Sequence, residues 1–174
     1  MPRIVVFGNP GAGKSTFARS IAGHLQLPYI SLDALFWKPG WVESNHAEFR
    51  ARVQPLLEHE NYVVDGNYFT PLGEDRFRLA HRVFWFDLPR LVCMAGVSRR
   101  MVAGYGRTRP EMAEGCPERL DLPFLRFVWR YQARNQAKFA AMIARNNAEQ
   151  KLKRFTSRAQ ANAALARIAR EGLA

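Results

Sequence analysis

Residues 8–15 read Gly-Asn-Pro-Gly-Ala-Gly-Lys-Ser, a spacing of residue types suited to holding a chain of phosphates. The pattern is G-x-x-x-x-G-K-[ST], the P-loop. Gly8, Gly11 and Gly13 allow the backbone to wrap closely around phosphate oxygens with its amides pointing inward. Lys14 reaches the outer phosphates as a point charge, and the Ser15 hydroxyl suits a magnesium ion. The candidate ATP-binding residues are therefore Gly8, Asn9, Pro10, Gly11, Ala12, Gly13, Lys14, Ser15 and Thr16. The motif specifies a nucleoside triphosphate and leaves the reaction open.

A P-loop works only between a strand and a helix. Arg3 to Phe7 is a short apolar run of the kind a buried parallel strand needs. From Thr16 onward, Phe17, Ile21 and Leu25 recur at helical spacing, so a helix begins at the loop and offers its N-terminus to an anion. The chain then continues to alternate. Strands are predicted at 27–32, 62–64, 83–86 and 152–155, and helices at 43–58, 72–80, 91–102, 124–146 and 159–170. Residues 34–41, aromatic and punctuated by Pro39 and Gly40, read as a loop or short irregular segment. Repeated strand–helix units predict an α/β three-layer sandwich, a parallel sheet covered on both faces. No repeat or linker divides the chain, so one domain is expected over 1–174, with a lid at 104–123.

In such sheets ligands bind beyond the carboxyl ends of the strands. Three acids fall there: Asp33, Asp65 and Asp87. Asp33 and Asp65 are the candidates to support magnesium beside Ser15, directly or through water. Asp33 could instead act as base toward an acceptor. Asp87 precedes Leu88-Pro89 and reads as a turn or cap residue. Phe36, Trp37 and Trp41 could wall an acceptor pocket or lie in the core beneath a loop. Asn67 and Tyr68 could hydrogen-bond a substrate.

The cations are unevenly spread. Residues 99–158 hold 14 Lys or Arg against 5 Asp or Glu, a net of +9 within a total of +11. Arg99, Arg100, Arg107, Arg109 and Arg119 fall in or beside the predicted lid, and Gly104, Gly106 and Gly115 would let it move. Arginine suits a transferring phosphoryl group, because its planar fork bridges oxygens and keeps its charge. Arg126, Arg130, Arg134 and Lys138 recur every four residues as one basic stripe, readable as a solvated face, a phosphate contact or a nucleic-acid surface. Lys153, Arg154, Ser157 and Arg158, where the last strand ends, could lie against a nucleotide base. Two cysteines are too few for a structural zinc site and imply no disulfide framework. No run approaches a membrane span and the chain opens on a strand, so no membrane partner and a cytoplasmic location are expected.

Over almost its full length the chain resembles the small P-loop kinases related to adenylate kinase. More narrowly, it is similar to the FlaR-like "DNA topology modulation protein" group. The likeness rests on residues 8–16, on Leu-Asp-Ala-Leu-Phe-Trp-Lys-Pro-Gly-Trp at 32–41, on Val-Asp-Gly-Asn-Tyr at 64–68, and on Arg-Thr-Arg-Pro-Glu-Met-Ala-Glu-Gly-Cys-Pro-Glu at 107–118. The resemblance implies a five-stranded parallel sheet in order 2-3-1-4-5, an arginine-bearing lid, and ATP with magnesium. It also implies roles for Lys14 at the phosphates, for Arg99 and the Arg107/Arg109 pair near the lid, and for Asp65-Gly66 near the acceptor. Asn67-Tyr68 replaces the aromatic-Pro-Arg sequence common in nucleoside monophosphate kinases, and so removes an arginine expected to grip an acceptor phosphate.

The expected function is ATP-dependent phosphoryl transfer to a small acceptor, a nucleotide or related metabolite. Lys14, Asp33, Asp65, Arg99, Arg107 and Arg109 are the expected catalytic set. The alternative is a nucleotide-dependent nucleic-acid-binding or regulatory protein that uses its basic surface.

Overall fold

The computed structural model describes residues 2–72 and 74–173. Residues 1 and 174, at the ends of the predicted domain, and residue 73, inside the predicted helix 72–80, lie outside the described residues. Five strands form one parallel sheet: β1 (Arg3–Gly8), β2 (Tyr29–Ser31), β3 (Tyr62–Asp65), β4 (Arg82–Phe86) and β5 (Leu152–Phe155). Their spatial order is β2-β3-β1-β4-β5, so β1 is central and the P-loop leaves from the middle of the sheet. This is the 2-3-1-4-5 order.

Alternation along the strands builds two cores. Successive side chains of a strand point to opposite faces. Ile4, Val6, Phe84 and Phe86 therefore face one way, and pack on Phe17 and Ile21 of α1 (Lys14–Leu25). Cys93, Val97 and Met101 of α6 (Arg90–Ala103) and Ala161 and Ile168 of α8 (Arg158–Glu171) complete that layer. Val5, Phe7, Val83 and Trp85 face the other way. There they meet Phe49 and Val53 of α3 (His46–Leu57), and Tyr131, Phe139 and Met142 of α7 (Leu122–Arg145). Ile4 to Phe7 are wholly buried, as a strand covered on both faces requires.

The segment after β2 is more ordered than its sequence predicts. Ser31 accepts a hydrogen bond from the Ala34 amide and starts α2 (Leu32–Phe36), which places Asp33 in a helical first turn. Trp37–Lys38 and Val42–Glu43 then pair as a short antiparallel ribbon. The predicted helix 72–80 is instead two short ones, α4 (Phe69–Leu72) and α5 (Asp75–Leu79). Pro55 lies inside α3, where it removes one hydrogen bond near the end of the helix.

Asp87 is neither a simple turn residue nor a helix cap. It is buried beyond β4 and accepts from Gln132 at 3.1 Å, Gln136 at 3.0 Å and Arg154 Nε at 3.0 Å. A buried carboxylate is stable only with such partners, and these tie α7 and β5 to the end of β4. Arg76 plays the complementary part. It is 3% exposed, lies against the rings of Phe69 and Phe77, and donates to the carbonyls of Tyr68 and Asn67. Burial lowers the pKa of its guanidinium.

Among the described residues no helix is long and apolar enough to cross a membrane.

Candidate active site

The P-loop is clamped from both sides. Asn67, just past β3, accepts from the Gly8 amide at 3.0 Å and donates to the Gly8 carbonyl at 3.1 Å. Asn9 donates through its amide to Phe86 and through its side chain to Leu88, each at 2.8 Å. Asn67 is thereby spent on holding the loop, and Arg76 in turn holds the Asn67 backbone. Below, Gly11 rests on α6. A Cβ at Gly96 would stand 2.2 Å from the Gly11 carbonyl oxygen, so only glycine permits that approach. Arg158 donates to the same carbonyl at 3.2 Å.

The loop opens onto free space where a ligand would need it. Gly13 sits at the N-cap of α1 with φ 98°, and no side chain caps the helix. A Cβ there would meet nothing within 4 Å. The first amides of α1 therefore have no side-chain acceptor, and a helix start in that condition favours an anion. Lys14 contacts the Asn9 carbonyl at 3.2 Å, folded back over the loop. These features fit a polyphosphate.

Across the loop stand the two predicted acids. Asp65 is buried, and Tyr29 donates to its Oδ2 at 3.3 Å, while Oδ1 has no hydrogen-bond partner. Burial raises its pKa to about 6, against the opposing pull of Lys14 and the Ser15 hydroxyl. An unmatched oxygen beside Ser15 is a fit for a metal ion or its water. Asp33 accepts from the Tyr68 hydroxyl at 2.7 Å. Tyr68 is therefore engaged with the acid.

The raised pKa of Asp65 is also a statement about stability. An ordinary aspartate titrates near 3.9 in the unfolded chain. Folding therefore favours the protonated form, and that contribution is full below about pH 4 and lost as pH rises through about 6. The shift corresponds to roughly 3 kcal/mol. Asp65→Asn carries no such burden. Relative to wild type, it should gain about 2–3 kcal/mol between pH 4 and pH 7. Urea midpoints of both proteins across that range check it; parallel pH profiles would refute the assignment.

The segment from Gly104 to Asp121 folds over this site and is pinned to its surroundings. Isolated bridges join Tyr105 to Glu118 and Thr108 to Pro117. Gly40 donates to Gly115 at 2.8 Å, the Trp41 indole to Pro117 at 3.0 Å, and Ser31 to the Glu111 carbonyl at 2.7 Å. Glu118 is 3% exposed, and Arg100 at 3.0 Å and Arg109 converge on its Oε1. Arg109 also pairs with Glu111 at 3.0 Å.

Residues 10–16 of the P-loop, Asp33, Asp65, Arg99, Arg100, Arg109 and Arg119 all line one cavity of about 1010 Å³. Small-molecule sites span about 300–1,000 Å³, so this one has room for two substrates. Gly8, Asn9, Arg107, Arg154 and Ser157, also predicted to act in the site, stand outside it, Gly8 and Asn9 because they are held by Asn67, Phe86 and Leu88. Arg107 is exposed on the outer side of its segment. Arg154 pairs with Asp87 and lies over Trp85. Ser157 caps α8 by accepting from Gln160. Of the residues expected against the nucleotide base, Arg158 does line the cavity; α8 adds Ala161, Asn162 and Leu165, and Glu111 and Glu118 complete the lining. The α8 set has the spacing of one helical face, a signal present in the sequence but shared with any packed helix. Nothing in the sequence pairs Glu118 with Arg100 and Arg109, both earlier in the chain.

The comparisons agree on this architecture. A family model described as ATPase family associated with various cellular activities (AAA) matches residues 4–64, from the first strand through most of the third. An adenylate kinase of Clavibacter michiganensis subsp. michiganensis is 35% identical over 65 residues, which span 37% of this chain and 31% of that enzyme. Among solved structures, a shikimate kinase from Bacteroides thetaiotaomicron aligns with a TM-score of 0.55 at 18% identity, over 96% of this chain and 95% of that one. A shikimate kinase from Acinetobacter baumannii in complex with shikimate aligns with a TM-score of 0.54 at 16% identity, over 100% and 96%. The chain has the P-loop kinase fold. At these identities the likeness fixes the architecture and leaves the chemistry to the site.

Proposed function

We propose that the chain transfers the γ-phosphoryl group of ATP to the hydroxyl of a small molecule. The observation that carries the reading is one cavity in which an open P-loop faces two carboxylates beneath a roof of arginines. The sheet order separates two sites. On the β5 side of the central loop, Arg158, Asn162 and Leu165 would border the nucleotide. On the β2 side, Asp33, Tyr68 and the aromatic ribbon would border the acceptor.

In the transfer the acceptor oxygen forms a bond to the γ-phosphorus while the bond from that phosphorus to the β–γ bridging oxygen breaks, releasing ADP. The acceptor proton passes to Asp33. Lys14, Arg99 and Arg109 stabilise the charge on the transferred oxygens, so the protein contributes mainly position and electrostatics. Among the described residues no three His, Cys, Asp or Glu side chains form a metal-binding group. Magnesium characteristically takes one or two carboxylates, phosphate oxygens and waters. Ser15 and Asp65 would hold it, with Asp33 nearby, and it would draw charge from the phosphates.

Incubation with γ-labelled ATP and a panel of hydroxyl compounds tests the proposal. Label should move to an organic acceptor faster than inorganic phosphate is released. Release of inorganic phosphate alone, with every acceptor unlabelled, would overturn it.

Residues 104–123 act in this reading as a lid. Because the segment is bonded to the ribbon at residues 40 and 41, lid and ribbon should respond together. Hydrogen exchange with a non-hydrolysable ATP analogue is expected to show added protection over 104–121 and 37–43 in parallel. Unchanged protection in both would count against a lid.

A nucleic-acid reading rests on Arg126, Arg130, Arg134 and Lys138, which are all exposed along α7 and outside the cavity. It predicts a steep salt dependence of oligonucleotide binding that Arg134→Ala and Lys138→Ala would flatten.

A further inference from the structure

We propose that the acceptor carries no anionic group and is an uncharged alcohol on a planar ring, of the nucleoside class. This rests on the kinase reading above and specifies the substrate of that same site.

The charges lining the cavity are sorted. On the P-loop side, Lys14 donates to the Asn9 carbonyl and Arg158 to the Gly11 carbonyl, and among the described residues neither is hydrogen-bonded to a carboxylate, so both can meet phosphates. On the β2 side the balance is reversed. Asp65 and Asp33 are hydrogen-bonded by tyrosine hydroxyls, which are neutral, and Glu43 lines the same end. Arg100 and Arg109 are both held by buried Glu118, and Arg109 also by Glu111. Arg119 lies 3.7 Å from Asp121, with its guanidinium over the Trp41 ring. A phosphate or carboxylate on the acceptor would therefore face Asp33, Asp65 and Glu43, and would compete with the transferred phosphoryl group for Arg99 and Arg109. Like charges set together in a closed site are strongly disfavoured.

The walls describe the remainder of the molecule. Phe36, Trp37, Trp41 and Tyr68 line the acceptor end, with Phe36 and Tyr68 4.7 Å apart and Trp37 and Trp41 5.4 Å apart. Ring faces of this kind accept a flat ring by stacking. Asp33, held by the Tyr68 hydroxyl, offers carboxylate oxygens to a hydroxyl donor. A flat ring joined to a sugar with several hydroxyls satisfies both; a nucleoside monophosphate or a ring hydroxy acid satisfies the walls and violates the charges.

Matched pairs test this in the full chain. Each pair shares a ring and differs in one anion: a nucleoside and its 5′-monophosphate, or a ring hydroxy acid and its methyl ester. Binding is read by tryptophan fluorescence with a non-hydrolysable ATP analogue present, and transfer by label from ATP. The neutral member should bind at least about ten-fold more tightly in each pair. Glu43→Arg, an exposed substitution that leaves the P-loop untouched, should narrow that ratio at least about three-fold. Equal or tighter binding of the anionic members, preference for a cationic amine over the neutral alcohol, or binding of no member would overturn the inference. The ATP analogue is titrated first. Failure to bind it would sink the kinase reading as well, whereas intact ATP binding with the wrong preference sinks this inference alone.

Discussion

Lys14→Ala is expected to lower kcat/KM by at least about 10³-fold, roughly 4 kcal/mol of transition-state stabilisation. The side chain lies over an open loop whose helix start has no capping side chain, and among the described residues its hydrogen bond is to the Asn9 carbonyl. The P-loop is held without it, by Asn67, Asn9 and Arg158. Stability should therefore change by less than about 1 kcal/mol, as for a surface substitution. Thermal unfolding and steady-state kinetics on the same preparation separate the two effects. Unchanged ATP affinity together with unchanged turnover would remove the P-loop from the mechanism.

The second large effect distinguishes two arginines that are alike in sequence. Arg109 lines the cavity and is fixed by Glu111 and Glu118, whereas Arg107 is exposed outside it. A group that meets charge developing in the transition state affects turnover more than ground-state binding. Arg109→Ala should lower kcat by about 30- to 1,000-fold, or 2–4 kcal/mol, while the ATP dissociation constant rises far less. Arg109→Lys should not restore it, because the planar fork that meets Glu118 is lost. Arg107→Ala should stay within about two-fold of wild type, as most surface substitutions do. Full turnover in Arg109→Ala, or an equal loss in Arg107→Ala, would show that this roof is only structural.

The site also has a cost in stability. A carboxylate at position 65 is retained although burial favours its protonated form, and Arg76 is buried with two backbone carbonyls as hydrogen-bond partners. Both groups stand where β3 meets the P-loop. Strain and uncompensated charge collect at working sites, because chemistry needs groups that packing alone would discard.

The sequence by itself determined the P-loop, the alternation of strands and helices, and the two acids after β2 and β3. Each of these is a local signal: glycine spacing, hydrophobic period, or a polar residue after an apolar run. The two-faced core follows from the same alternation, since Ile4 and Val6 must oppose Val5 and Phe7. What only the tertiary structure decided are the pairings across long separations. Asn67 reads as a substrate contact and is spent on Gly8, 59 residues away. Asp87 reads as a turn residue and binds α7 and β5 together. Arg154 and Ser157 read as base contacts and belong to that buried network and to a helix cap. Arg107 and Arg109 are two residues apart, yet only Arg109 points inward, because Glu118 and Glu111 fix it there. A charged side chain's role depends on whichever partner desolvates and orients it. That partner is chosen by the packing of elements remote in the chain, which no local spacing records.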